Sequence, residues 1–199
     1  MRIYVIRHGQ SEANLRNVHA GWAQVSLTEK GTAQAVWAGE RIRDLHFDQV
    51  IVSDLIRAQQ TAQLALPGRE YKTDMRIREI SVGDLALRPV TECERELGET
   101  YLRNRARHDF TPYGGENSDQ MQSRVSAFMD ELTTEPEDAQ IAVFCHEGVI
   151  YCMLCHVLGV RPAQMSAFAD NCSISVFTYR NGYWILNKWN ETGNVIPEN

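Results

Sequence analysis

Arg2-Ile3-Tyr4-Val5-Ile6-Arg7-His8-Gly9 begins with a short β-branched, apolar run and stops at charge, imidazole and glycine. Such a run reads as a strand ending at Arg7. The pattern returns at Ile141-Ala142-Val143-Phe144-Cys145-His146-Glu147, a continuous apolar strand that again runs into a histidine. In open α/β sheets ligands bind beyond the carboxyl ends of the strands. If these two strands are parallel neighbours, both imidazoles reach one rim, and Gly9 lets the backbone turn close to a ligand with no Cβ in the way.

Working outward, Thr28 is a plausible N-cap with Glu29 in the first helical turn. The helix it opens runs through Ala33, Val36, Trp37 and Ile42. Gln49 to Ser53 reads as a second buried strand, and Asp54 to Leu66 as the helix after it, stopped by Pro67-Gly68. Met121, Val125, Phe128, Met129 and Leu132 fall on one helical face. Val149 to Leu158 forms a further apolar helix. Ser173–Tyr179 and Tyr183–Trp189 read as strands joined by Asn181-Gly182, a strong hairpin turn. This alternation predicts an α/β class fold with a mostly parallel sheet and an antiparallel edge. Segment 83–112 is polar and rich in Arg and Glu, which suits a lid or cap over the sheet.

The 199 residues suit a single domain, 1–199, with an ordinary globular composition of 43% hydrophobic and 23% charged residues. Twenty Lys and Arg stand against twenty-six Asp and Glu, a net charge of −6 with no basic run. Such a chain has no electrostatic reason to hold nucleic acid, so any anion site must be a local cluster of cations. No apolar stretch approaches a membrane span, and Met1–Arg7 is too short for a secretory signal. Five cysteines, an odd number, point to free thiols in a reducing cytoplasm. Cys93, Cys145 and Cys172 lack paired ligand spacing, so no metal site is expected. Cys152-Met153-Leu154-Cys155-His156 matches a haem-attachment pattern, but its place in an apolar helix favours a structural reading. No nucleic acid or membrane partner is expected, and the chain would act as a monomer or homodimer.

The chemistry follows from what meets at the rim. Arg57 opens the helix after the second strand and would face back toward His8, His146 and Arg7. Two imidazoles, two guanidiniums and nearby helix N-termini form a small anion pocket on an acidic protein. An unprotonated histidine can attack phosphorus directly, and adjacent arginines favour its neutral form while stabilising equatorial charge on the transferring group. A departing alkoxide also needs a proton donor. From the residues alone Glu79 is one of several candidates.

Arg7-His8-Gly9-Gln10-Ser11-Glu12-Ala13-Asn14 resembles the signature of the histidine phosphatase (phosphoglycerate mutase-like) superfamily. The likeness continues in order through Gly21-Trp22, Leu27–Gly31, Ser53–Ala62, Arg78-Glu79-Ile80, Gly114–Asn117, His146–Ile150 and Asn171–Ile174. It implies a three-layer α/β/α sandwich and phosphoryl transfer without a metal or other cofactor. It assigns His8 as the phosphorylated nucleophile, Arg7, Arg57 and His146 as the phosphate pocket, and Glu79 as the acid for the leaving oxygen. Asn14 falls where a residue often helps hold the phosphate, and Gly21 and Glu147 fall among the substrate-contacting positions.

The chain departs from the family pattern at three places. Gly83–Leu87 replaces a run that usually carries tryptophan, and Tyr151 stands where arginine is frequent. Glu147 adds a carboxylate beside an anion site. It would weaken phosphate binding by like-charge repulsion unless it points away and offers only its backbone N–H. Phosphoglycerate mutases of this family are longer, with an extra insertion and tail, which favours a phosphatase of small phosphomonoesters, its expected partner a small phosphorylated metabolite. A mutase and a non-catalytic phospho-ligand scaffold are the alternatives. Arg88, Arg103, Arg105 or Arg107 of the lid would grip a second acidic group on the substrate, and Trp22 is either a loop anchor or a substrate platform.

Overall fold

Strand β1 (Arg2–Arg7) lies parallel to β4 (Gln140–Cys145) with Arg7 opposite Cys145, so the residues after the two strands, His8 and His146, emerge side by side. The structure is a computed structural model that describes residues 1–162 and 167–192. Between these strands the chain forms α1 (Glu12–Arg16), α2 (Glu29–Ile42), β2 (Gln49–Val52), α3 (Ile56–Ala65), β3 (Lys72–Thr73), α4 (Val90–Ala106) and α5 (Ser118–Leu132). After β4 come α6 (Glu147–Leu158), β5 (Ile174–Arg180) and β6 (Tyr183–Glu191). The six strands order as β3-β2-β4-β1-β5-β6. The first four are mutually parallel; β5 runs antiparallel to β1, and β6 antiparallel to β5. This is the α/β arrangement with an antiparallel edge that the sequence implied.

Alternation along the strands builds two cores. Ile3, Val5, Ile51, Ile141, Val143, Cys145 and Phe177 face α5 and α6. Tyr4, Ile6, Val50, Val52, Ala142 and Phe144 face α2 and α3 on the other side. A sheet covered on both faces needs strands apolar at every position, which is why these segments read as continuous apolar runs. All five residues expected on the face of α5 are buried.

Thr28 caps α2, its hydroxyl accepting from the Gly31 N–H at 3.0 Å. The buried face of this helix differs from the one expected. Gly31, Ala35, Ala38, Gly39 and Ile42 point inward, while Ala33 and Val36 are exposed. The reason is close packing on α3: a Cβ on Gly39 would overlap the Ala65 carbonyl oxygen, so small residues make the contact and larger ones turn outward. Gly9 also acts differently from expectation. Its missing side chain admits the carbonyl of Gly31.

Residues 83–112 hold a short 3-10 turn, α4 and the start of another turn. Gly98 breaks α4 with φ of +60°. This segment packs a third cluster of Val82, Leu85, Cys93, Tyr101 and Phe110 beside the carboxyl end of the sheet. All five cysteines are free and buried, including Cys152 and Cys155 on α6. Among the described residues no helix is long and apolar enough to cross a membrane.

Candidate active site

At the carboxyl end of the parallel strands a cavity of about 590 Å³ opens, lined by Arg7, His8, Asn14, Gly21, Arg57, Glu79 and Glu147 among others. His8 forms its floor, held by its backbone N–H donating to the Cys145 carbonyl at 3.0 Å. The His8 Nδ1 lies 2.7 Å from the Gly9 carbonyl oxygen. A carbonyl only accepts, so Nδ1 carries the proton and Nε2 keeps a lone pair. Burial, then the charges of Arg57 and Arg7, push this imidazole well below its ordinary pKa. His8 is therefore neutral at neutral pH, in one tautomer.

His146 is fully buried against it, the ring centroids 5.1 Å apart, and it does not line the cavity. Its Nε2 meets the Ser53 hydroxyl at 2.8 Å. Burial, then Arg57, His8 and Arg7, lower its pKa too, so this imidazole is also neutral.

Arg57 is 1% exposed, the largest fully buried side chain among the described residues. Its terminal nitrogens donate to the carbonyls of Ala23 at 3.0 Å and Gly21 at 2.9 Å. Gly21 thus serves the site through its carbonyl, which orients Arg57. Burial pushes the Arg57 pKa down to about 10, so the group stays charged. Arg7 donates to the Ala169 carbonyl at 2.5 Å and to Glu147. The Nε atoms of both arginines and Nδ1 of His146 are buried without a hydrogen-bond partner. Buried polar groups are nearly always paired, so the unpaired Nε atoms of two cavity-lining arginines beside His8 suit an anion with several acceptor oxygens.

Glu79 enters from the loop before α4. Its Oε1 accepts from the Ile80 N–H at 2.9 Å, and its Oε2 lies 3.4 Å from the Gly148 N–H at the start of α6. These two N–H donors hold the Glu79 carboxyl group in place at the cavity. Gly148 is required for this approach, because a Cβ would overlap Glu79 Oε1. The Glu79 backbone is fixed as well: its carbonyl accepts from Trp22 Nε1 at 2.7 Å and from Arg124 at 3.0 Å. Trp22 is thus a loop anchor; its ring carries the Arg78 guanidinium at 4.9 Å and is not part of the cavity wall. Asn14 sits on the rim. Its Oδ1 is taken by the Ser11 N–H at 3.0 Å, which leaves its NH2 as the available donor.

Three findings were not legible in the sequence. Glu147 does not turn away: its carboxylate pairs with Arg7 at 3.0 Å. Burial raises its pKa, outweighing the pull of Arg7, and Glu79 adds to the rise. Arg124, on the polar flank of α5, binds the carbonyls of Arg76, Arg78 and Glu79 and the Glu116 carboxylate, clamping the loop that carries Glu79. Of the four lid arginines only Arg105 lines the cavity, and it is bound to Glu94 at 2.8 Å. Arg88 pairs with Glu92 and Glu96, and Arg103 and Arg107 lie exposed outside the cavity wall. Arg105 is thus the one of the four placed to meet a substrate, and there a second acidic group would compete with Glu94.

Comparison with known proteins agrees with the geometry. The profile of the histidine phosphatase superfamily (branch 1) matches residues 3–192. A probable phosphoglycerate mutase GpmB of Salmonella paratyphi A is 29% identical over 95% of this chain and 90% of its own length. Among solved structures, the mycobacterial glucosyl-3-phosphoglycerate phosphatase Rv2419c superposes with a TM-score of 0.85 at 27% identity, covering 96% of this chain and 99% of that one. A putative alpha-ribazole-5'-P phosphatase of Escherichia coli K-12 gives a TM-score of 0.87 at 28% identity, covering 96% and 97%.

Proposed function

The chain belongs to the histidine phosphatase superfamily, and from that premise we propose that it is a phosphatase that hydrolyses small phosphomonoesters through a phosphohistidine on His8. In the first step the His8 Nε2 lone pair attacks phosphorus and the ester P–O bond breaks. The Nδ1–H bond to the Gly9 carbonyl holds the ring in the attacking tautomer and steadies the charge that grows on it. Arg7 and Arg57 take the equatorial oxygens, whose charge a fixed guanidinium stabilises without reorganisation. His146 packs its buried ring against His8 behind them.

Glu79 gives its proton to the leaving oxygen, releasing the alcohol. In the second step it accepts a proton from water as that water attacks the phosphohistidine. Ester plus water becomes alcohol plus inorganic phosphate, and His8 and Glu79 return to their starting states. The observation that carries the reading is the conjunction of one neutral, tautomer-fixed imidazole with orphaned buried guanidinium nitrogens beside it. A mere binder of phosphorylated ligands needs no fixed nucleophile. Five unpaired thiols fit action in a reducing compartment such as the cytoplasm.

Brief incubation with a radiolabelled phosphomonoester, then an acid or alkaline quench, tests the proposal. An acid-labile, alkali-stable label on His8 is expected, with label and turnover both lost in His8→Ala. Product that accumulates without label overturns it. Phosphoglycerate isomerised faster than phosphate is released would move the protein to the mutase side.

A further inference from the structure

The cavity extends well past the two arginines, and its outer part has a different chemistry. Its distal wall is built from Val18, Val82, Val90, Leu102, Phe110 and Phe168. Leu102 on α4 and Phe168 on the loop before β5 are 46% and 72% exposed, so apolar surface is presented to whatever enters. Aromatic edges stand behind this wall, with His19 and Phe110 at 5.8 Å between ring centroids and His19 and Tyr101 at the same separation.

Two polar groups of this outer part already have partners. His19 Nε2 is 2.6 Å from the Tyr101 hydroxyl, and Arg105 is bound to Glu94. Burial, followed by Arg105 and Arg88, keeps His19 neutral. His108 is exposed at the edge. A substrate carboxylate or second phosphate placed here would meet mostly hydrocarbon and a neutral imidazole, and would reach Arg105 only in competition with Glu94. Desolvating such a group without a partner is unfavourable, whereas burying a flat hydrocarbon surface is favourable.

We propose that this outer chamber selects phosphomonoesters of apolar, ring-bearing alcohols and discriminates against esters that carry a second acidic group. This rests on the phosphatase reading above and names the substrate class of the same site. The phosphoryl group sits on Arg7 and Arg57 while the ring lies between Leu102 and Phe168. Because that contact is made before and during the reaction, it acts mainly on KM.

The test compares kcat/KM for 1-naphthyl phosphate and for 3-phosphoglycerate in the full chain and in Leu102→Arg. Leu102 is half exposed, so the change adds a cation without opening a core. The native protein is expected to favour the naphthyl ester by at least about tenfold. Leu102→Arg is expected to cut that preference about tenfold, chiefly through KM, by losing apolar contact and gaining a partner for the carboxylate. Phe168→Arg, at a more exposed site, provides a second variant should the first fold poorly; circular dichroism verifies each. Phosphate released from 3-phosphoglycerate as efficiently as from the naphthyl ester would overturn the proposal and leave the phosphatase reading standing. Preference unchanged in both folded variants would do the same. No phosphate released from either ester or from a wider panel would fell both.

Discussion

Replacing Glu147 by Gln should tighten phosphate binding. The Glu147 carboxylate lies 3.0 Å from the Arg7 guanidinium, with side-chain exposures of 33% and 14%. An incoming phosphoryl group must share Arg7 with this carboxylate or displace it. A pair this exposed contributes at most about 1 kcal/mol, which displacement forfeits. Sharing instead leaves two anions on opposite edges of one guanidinium, about 6 Å apart, and at an effective dielectric of about 40 each unit of phosphate charge is repelled by about 1.4 kcal/mol. Either way the expected gain for Glu147→Gln is about five- to tenfold in affinity at neutral pH.

The native protein should approach the variant as pH falls. Burial holds the Glu147 carboxyl above its ordinary range. It therefore takes up a proton earlier on acidification than a solvent-exposed glutamate, and repulsion fades. The assay is the inhibition constant of inorganic phosphate or vanadate for both proteins from neutral to mildly acidic pH. Taking the ratio of the two constants cancels the titration of the ligand itself. A ratio that shrinks toward one with acidification is expected. Weaker binding by Glu147→Gln would refute the reasoning and mean that the pair serves to aim Arg7; so would a ratio constant with pH.

Two further outcomes follow from the same geometry. Gly148→Ala places a methyl group on Glu79 Oε1, so it should lower kcat by at least about tenfold with little change in KM, because overpacking here displaces the proton donor by fractions of an ångström; a pre-steady-state measurement with an unchanged phosphorylation rate would contradict this. His8 and His146 are neutral in the fold, with pKa values below the ordinary 6.5, so the unfolded chain binds those protons first. Stability should be complete above that value and fall below it, each group contributing up to about 1.4 kcal/mol per pH unit. Urea midpoints measured across this range check it, with a shallower fall in His8→Gln; midpoints that do not drop would count against two buried neutral rings.

How far the sequence discloses the molecule depends on which physical signal each part leaves. Strands β1, β2 and β4 are readable because burial on both faces forces consecutive apolar residues. The face of α5 is readable for the same reason at a different period. The face of α2 is not, since glycine and alanine make its contact and hydrophobicity does not register closeness of approach. β3 is two exposed residues and leaves no pattern. α1 has five residues and a capping box closed by Asn14, outside the usual Glu or Gln. His8, Arg7, Arg57 and Glu79 could be assigned to one rim because strand ends and ordered motifs locate them. The clamp by Arg124 could not, because an arginine on a helix flank looks like solvated charge until the loop folds over it. Nor could the posture of Glu147, where an ion pair competes with desolvation and only the geometry tells which prevails.

The sheet order has a consequence for how the molecule is made. Strand β1, synthesised early, finds its neighbours in β4 and β5, both in the last third of the chain. A nascent polypeptide must therefore carry an unpaired strand, apolar from Ile3 to Ile6, until residues far downstream leave the ribosome. His8, attached to that strand and proposed above as the nucleophile, gains its neighbouring imidazole only at that moment. The candidate site and the closure of the sheet's centre form together, so an incompletely translated chain holds this histidine in water, idle.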